Sequence, residues 1–275
     1  MFESYWQLAC NPFDNDADQR FFFRSDTHQG ALLKLRYLIE NRKGAGLLVG
    51  GTGFGKTFII EALAQQMSES HGPFVHIVFP QLSPEELLAY LAVELGADAN
   101  QVGSEAGGLD RTIREIEGLL AKYGDQGRHP VIVVDEAHLI EDMRVFQALR
   151  LLLNFQQHSR TCFSLILSGQ PELLSRIRRM AQFEERLGVK CLLRPLTHEE
   201  TVSYISWRLQ AAGATKPIFE SQAVTTLFEL SGGVPRRINR LCDMSLLVGY
   251  ADESSSICSE QVEAVSEELT TVSPD

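Results

Sequence analysis

Five short apolar runs, at residues 47–49, 74–79, 131–134, 163–167 and 189–193, punctuate the first two thirds of the chain. Such runs have no polar face, so they read as strands buried on both sides. The segments between them carry helical spacing instead. Over residues 28–41 the apolar positions Leu32, Leu35 and Ile39, with Leu33 and Tyr37, recur at the period of a helix. Residues 57–68, 109–123 and 143–158 read the same way, and Ser83-Pro84-Glu85 opens a further helix with a capping-like start. Alternating strands and helices imply a parallel sheet covered on both faces. Pro195 stops the fifth strand, and the pattern beyond it is helical only, at 199–212, 220–231, 235–250 and 259–269. Residues 1–28 read as irregular, 98–108 as a loop and 270–275 as a frayed tail. The expected architecture is α/β: a five-stranded parallel sheet sandwiched by helices, followed by a small all-helical lid. The boundary falls near 194–197, giving an α/β domain at 1–195 (1–28 its entry segment) and a helical domain at 196–275.

Composition narrows the function classes more than the fold. The chain has 275 residues, 44% of them hydrophobic, with 25 Lys+Arg against 36 Asp+Glu and a formal net charge of −11. Such a surface repels DNA and anionic lipid, so binding either would need a local basic patch. A membrane span needs about 20 apolar residues, and no run here approaches that. The aromatic, acidic start lacks the basic-then-apolar order of a secretory signal. Five cysteines, widely spaced and without a CxxC pair, read as buried thiols in a reducing cytosol rather than a disulfide framework or zinc site. The expected location is cytoplasmic.

The chemistry concentrates first at Gly50-Gly51-Thr52-Gly53-Phe54-Gly55-Lys56-Thr57, followed by Phe58. This fits the G-x-x-x-x-G-K-[ST] phosphate loop, and it lies between an apolar strand and a helix, as that loop requires. Gly50, Gly53 and Gly55 let the backbone curl and aim N–H groups at phosphate oxygens. The helix beginning near Lys56 adds its N-terminal partial charge. Lys56 is then placed to reach the β- and γ-phosphates of ATP, and Thr57 to hold Mg²⁺ through its hydroxyl.

The second concentration is Val131-Ile132-Val133-Val134-Asp135-Glu136-Ala137-His138. An acid at the carboxyl end of a buried strand can orient Mg²⁺ through its water shell, which is the role read for Asp135. Glu136 is placed to polarise the water that attacks the γ-phosphate. The same letters head a motif of two-domain helicases, but only about 80 residues follow Pro195, too few for a second nucleotide-binding half. His138 is either close to the γ-phosphate, as a switch residue, or a cap for the following helix.

With these residues in view the chain resembles AAA+ ATPases, in particular the ExeA/GspA type of general secretion and MSHA-like pilus biogenesis. The likeness rests on the entry segment with Asn11-Pro12-Phe13, the phosphate loop with Asp135-Glu136, the stretch 165–177 and the stretch 232–247, Gly-Gly-Val-Pro-Arg-Arg-Ile-Asn onward. It covers nearly the whole chain and implies further roles. Gln170 would be the sensor-1 polar residue, the alternative being a turn amide. Arg186 would be an arginine finger reaching a neighbouring subunit's nucleotide, the alternative being a salt bridge at a helix end. Arg236 would be sensor 2, delivered from the lid, the alternative being a solvated surface arginine. The adenine would lie between the lid and Pro12–Phe13. Phe54 and Gly51 depart from the small hydroxylic and acidic residues expected in that family's loop, and neither departure removes a backbone phosphate contact.

The resemblance also implies ATP/ADP and Mg²⁺ as ligands, a homo-oligomer with active sites at subunit interfaces, and a secretion, pilus or peptidoglycan-associated protein partner. ExeA-type proteins continue into a membrane span and a peptidoglycan-binding region. This chain would be either the cytosolic part of such an inner-membrane protein or a stand-alone relative. A different expectation is a DNA-associated AAA+ ATPase resembling transposition target-selection regulators, with Arg176, Arg178, Arg179 and Arg236, Arg237, Arg240 as phosphate contacts. The net charge disfavours it. A nucleotide-gated scaffold without turnover would have no use for Glu136.

Overall fold

In the computed structural model the chain is described for residues 1–14, 18–78, 81–99, 108–157 and 160–271. The expected strand end at 79–80, most of the expected loop at 98–108, residue 158 of the expected third long helix and the tail at 272–275 lie outside these. The chain forms two compact units: Thr27–Gly51 with Ile59–Leu193, and Met1–Asp26 with Thr52–Phe58 and Arg194–Asp275.

The first unit is the α/β one. Its elements are α1 (Asp26–Glu40), β1 (Ala45–Val49), α2 (Lys56–Gln66), β2 (Phe74–Ile77), α3 (Pro84–Glu94), α4 (Gly108–Asp125) and β3 (Val131–Val134). They continue with α5 (Met143–Leu152), β4 (Gln156–Gln157), β5 (Arg160–Thr161), β6 (Ser164–Gly169), α6 (Pro171–Arg178), α7 (Ala181–Glu184) and β7 (Leu187–Leu192). Five strands make one sheet in the order β2-β3-β6-β1-β7, every pair parallel. β1, β3 and β6 are buried along their whole length, as runs without polar alternation require. One face of the sheet packs Leu47, Ile132, Val134 and Leu165 with α3, α4 and α5 through Leu91, Ile116, Leu120, Phe146 and Leu149. α1 approaches β1 at Gly46, where a Cβ would stand 2.7 Å from Leu38, so the glycine admits the helix. Ser83 and Glu86 form a full capping box at the start of α3.

Two expectations change here. The helix expected to run to residue 158 stops at Leu152, and the chain turns at Asn154 into the β4–β5 hairpin. Past Leu153 only Phe155, packed against the core, continues the apolar positions, and Asn154, Gln156 and Gln157 around it add no further apolar face. The fifth expected strand is also not buried on both sides. β7 pairs only with β1, and of its residues only Cys191 is buried. An edge strand keeps its outer residues exposed, and Lys190 and Gly188 suit that position.

The second unit is helical. It contains α8 (His198–Ala211), α9 (Ser221–Ser231), α10 (Pro235–Ala251) and α11 (Ser259–Thr271), close to the spans expected from the sequence. Its core also takes in Phe2, Trp6, Leu8, Phe13 and Phe21 from the chain's first residues, against Leu209, Phe219, Leu227, Ile238 and Leu246. The units therefore do not follow a single cut near residue 195. The entry segment's aromatic side chains bury themselves among helices, where they remove far more apolar surface from water than an exposed strap would.

Within this unit α9 ends at Gly232 in the left-handed conformation, and Val234 and Pro235 open α10. Between them Gly233 has φ +71°, and a Cβ there would overlap the Leu196 carbonyl oxygen. Leu196 N–H donates to Gly233 O at 2.8 Å, so two backbones are in direct contact. Replacing Gly233 by Ala is expected to cost about 3 kcal/mol of stability, since neither backbone can give way. Urea denaturation of the variant checks this.

His129 is buried in the α/β unit, its Nε2 2.9 Å from Ser164 Oγ. Burial, with Arg42 and His71 nearby, lowers its pKa to about 3. The unfolded chain takes up this proton near pH 6.5 while the native one refuses it, so stability is full above about pH 6.5 and declines as pH falls toward 3. Between about pH 6.5 and about pH 5 the histidine should remove about 2 kcal/mol. Denaturation at these pH values should show a shallower loss in His129→Gln than in the parent.

Candidate nucleotide-binding site

Strand pairing brings the chemistry to one end of the sheet. In the α/β unit Val49 is level with Gly169, and Val134 is level with Leu167. The residues that follow β1, β3 and β6 therefore leave the sheet at the same end, and Gly50 N–H donates to Gly169 O at 3.1 Å. β1 is also where the strand order turns back, with β6 on one side and β7 on the other. Carboxyl strand ends at such a switch point are where open α/β sheets bind ligands.

The loop after β1 spans Gly50, Gly51, Thr52, Gly53, Phe54 and Gly55. Gly53 and Gly55 have φ +79° and +84°, left-handed values that a side chain would strain. α2 starts at Lys56, followed by the exposed Thr57. Lys56 is only 5% exposed, so a cation lies at the positive end of a helix dipole, an arrangement that an anion offsets. Phe58 is half-buried and its ring stacks on Phe22 at 5.3 Å, part of the helical unit's packing. Phe54 is also half-buried.

In the helical unit Arg236 is exposed at the second residue of α10, and its N–H donates to Gly53 O at 3.3 Å. A Cβ on Gly53 would stand 2.8 Å from Arg236 Cβ and 3.2 Å from Val234, so glycine is required there by packing as well as by φ. Pro12 and Phe13 are buried in the same unit. Phe13 is 2% exposed and stands edge-on to Phe219, while Pro12 O accepts from Arg208 Nε. The Phe13 ring is thus used in the core of the helical unit.

Beyond β3, Asp135 is 1% exposed. Its Oδ1 accepts from Glu136 N–H at 2.9 Å, and Oδ2 stands 3.6 Å from His76 Nε2 on β2. Glu136 has left-handed φ 48° and ψ 33°, costing on the order of 1 kcal/mol for a residue with a Cβ. A 3₁₀ turn, Ala137–Leu139, follows. His138 Nδ1 lies 3.2 Å from Glu136 Oε2, and its Nε2 is 2.9 Å from the Gln170 amide nitrogen. Gln170 occupies the N-cap position of α6. Sequence reasoning singled out Glu136 and Gln170 separately and missed that His138 lies between them. The DEAH letters were the only local signal.

Arg186 is not with these groups. Leu187 is level with Ala45, so Arg186 lies at the amino ends of the strands, about 15 Å of strand from the carboxyl end of β1. It is exposed, and its guanidinium donates to Asn154 Oδ1 at 2.8 Å. That excludes action at the carboxyl end of its own β1. Among the described residues no group of three or more His, Cys, Asp or Glu could hold a metal ion, and all five cysteines are free thiols. No helix there is long and apolar enough to cross a membrane.

Known proteins agree with this architecture. Residues 39–177 match the model of the AAA domain family. General secretion pathway protein A of Aeromonas hydrophila is 33% identical over 260 residues, 94% of this chain and 46% of that protein, so the chain spans about half of its relative's length. Among solved structures, Cdc6p from Pyrobaculum aerophilum superposes with a TM-score of 0.71 at 16% identity, covering 94% of this chain and 70% of that one. The ORC2 protein of Aeropyrum pernix gives 0.70 at 15%, covering 96% and 72%. The Holliday junction branch migration motor RuvB of Thermotoga maritima gives 0.60 at 20%, covering 91% and 74%. These structural likenesses concern the fold alone. The family match spans half of the chain and includes the phosphate loop and the acidic end of β3, and on that ground the chain belongs to the AAA family of nucleotide-binding proteins, within which it resembles the ExeA/GspA type.

Proposed function

We propose that the chain binds ATP at the loop of residues 50–57, hydrolyses it, and couples the nucleotide state to assembly of envelope secretion machinery. The observation that carries the enzymatic part is a buried lysine at a helix N-terminus behind a loop of left-handed glycines. Backbone N–H groups of Gly51 to Gly55 and the Lys56 ammonium would bind the β- and γ-phosphates. Thr57 and Asp135 are hard oxygen donors, and one hydroxyl with one carboxylate is the small protein donor set that Mg²⁺ accepts when phosphates complete its shell. Bound there, Mg²⁺ would screen the developing charge on the phosphates. Glu136 would take the proton of the attacking water, and Gln170 would orient the γ-phosphate. Arg236, at the start of α10, would report on the same phosphates from the helical unit. With Phe13 turned into the core, a base lying against residues 11–13 would meet their backbone.

Arg186 would act only in trans, on the nucleotide of a second copy. That fits its exposure and its place at the amino ends of the strands, and makes turnover depend on a homo-oligomer. The secretion partner rests on the likeness to General secretion pathway protein A, and the location read with it is cytoplasmic, beside or as part of an inner-membrane assembly. A DNA-associated role is the second reading. The net charge of −11 opposes it, and Arg176 is already used, donating to Ile140 O.

Glu136→Gln is expected to lower ATP turnover by about 10²-fold or more while retaining nucleotide binding. Unchanged turnover in a steady-state phosphate-release assay would refute the role of Glu136. Arg186→Ala should be inactive by itself and should regain turnover when mixed with Glu136→Gln, whose arginine can serve the intact base of its neighbour, and no regain at any ratio would refute a finger in trans. Turnover stimulated by DNA, and falling steeply with salt, would favour the second reading.

A further inference from the structure

Gln170 stands at the N-cap of α6, yet its side chain makes no capping bond. Its amide nitrogen points instead at His138 Nε2, 2.9 Å away. An amide N–H donates there only to an unprotonated ring nitrogen, which leaves the ring hydrogen on Nδ1. That atom faces Glu136 Oε2 at 3.2 Å, short of a hydrogen bond in direction but close enough for a small turn of the carboxylate to complete one. The ring is held from a third side as well. A Cβ on Gly169 would stand 3.3 Å from His138 Nδ1, 3.2 Å from its backbone nitrogen and 3.0 Å from Leu173, so a side chain there would press on the ring and its turn. Arg176 anchors the end of the same turn by donating to Ile140 O. All these groups belong to the α/β unit.

We propose that His138 is a positioning residue for hydrolysis: its Nδ1–H orients the Glu136 carboxylate, and its Nε2 is fixed by Gln170. This rests on the ATPase reading above and deepens it, since it joins the group read as the base to the group read as the γ-phosphate sensor. The ring supplies a contact that can fix the direction of the Glu136 carboxylate. A change in Gln170 at the end of β6 would reach Glu136 by a chain of two contacts, with no movement of the sheet.

Two variants separate the halves of the link. In His138→Asn the side-chain amide nitrogen falls near the place of Nδ1 and can still face Glu136. In His138→Gln it falls near Nε2 and can face only Gln170. Turnover number and ATP affinity should be measured separately. His138→Gln and His138→Ala should lower kcat by about 10-fold or more with ATP affinity within about 2-fold of wild type, and His138→Asn should recover most of kcat. In a Glu136→Gln background the alanine change should add nothing, because both act on one group. Unchanged kcat in His138→Ala, equal loss in Asn and Gln variants, or a full additional loss in the Glu136→Gln background would overturn the proposal.

Imidazole ¹⁵N NMR gives a readout independent of turnover. The His138 ring should carry its hydrogen on Nδ1, and Glu136→Gln and Gln170→Ala should each shift its signals. If the shifts appear but wild-type protein hydrolyses no ATP, the ATPase reading fails and the contact stands. If hydrolysis is present and the ring ignores both changes, the proposal alone fails.

Discussion

In the ladder that joins β1 to β6 and β6 to β3, Val49 lies opposite Gly169 and Val134 opposite Leu167. A parallel ladder fixes direction as well as register, so the phosphate loop, the acid pair and Gln170 must all leave from one end of the sheet. A shift of one residue in β3 would turn its side chains to the opposite face. The fully buried strands enforce the register, because Leu47, Ile132, Val134 and Leu165 all pack against α3, α4 and α5 on one face. The same ladder puts Arg186 at the opposite end, beside Asn154.

At the working end, strain and close packing occur together. Glu136 holds a left-handed backbone, Gly53 and Gly55 hold left-handed turns, and Gly169 leaves space for the His138 ring. Non-glycine left-handed residues cost stability and persist where the surroundings over-determine them. Here the surroundings are a buried acid whose Oδ1 accepts from the Glu136 N–H and a ring that faces the Glu136 carboxylate.

The helical unit is organised by a different constraint. Arg208 is 4% exposed, stands 4.9 Å over the Phe21 ring and donates to Pro12 O, Asp14 O and the Tyr204 hydroxyl. Tyr204 in turn donates to Asn239 on α10 at 2.7 Å, its own ionisation pushed up by burial. A buried guanidinium is costly unless its donors are used, and the carbonyls of the entry segment use them. The first residues of the chain thereby become part of a core whose other members lie about 200 residues later, which no local pattern announces.

Much of the fold was legible because it is local. The apolar runs of β1, β3 and β6, the capping box at Ser83, the glycine spacing before Lys56 and the four C-terminal helices all arise from short-range sterics, hydrogen bonding and periodicity. The features that escaped a sequence reading depend on a neighbour. The exposure of β7 comes from its place at the sheet edge, the end of α5 from the hairpin after it, and the burial of Phe13 from helices far along the chain. The same holds at the site. The sequence by itself determined that Lys56 and Thr57 follow a glycine-rich loop and that Asp135 and Glu136 close a buried strand, since spacing within one loop or one strand end is enough to align them. Only the tertiary structure decided that His138 stands between Glu136 and Gln170 and that Arg186 points away, because those relations are set by strand order and register across the sheet, and a one-dimensional pattern does not contain them.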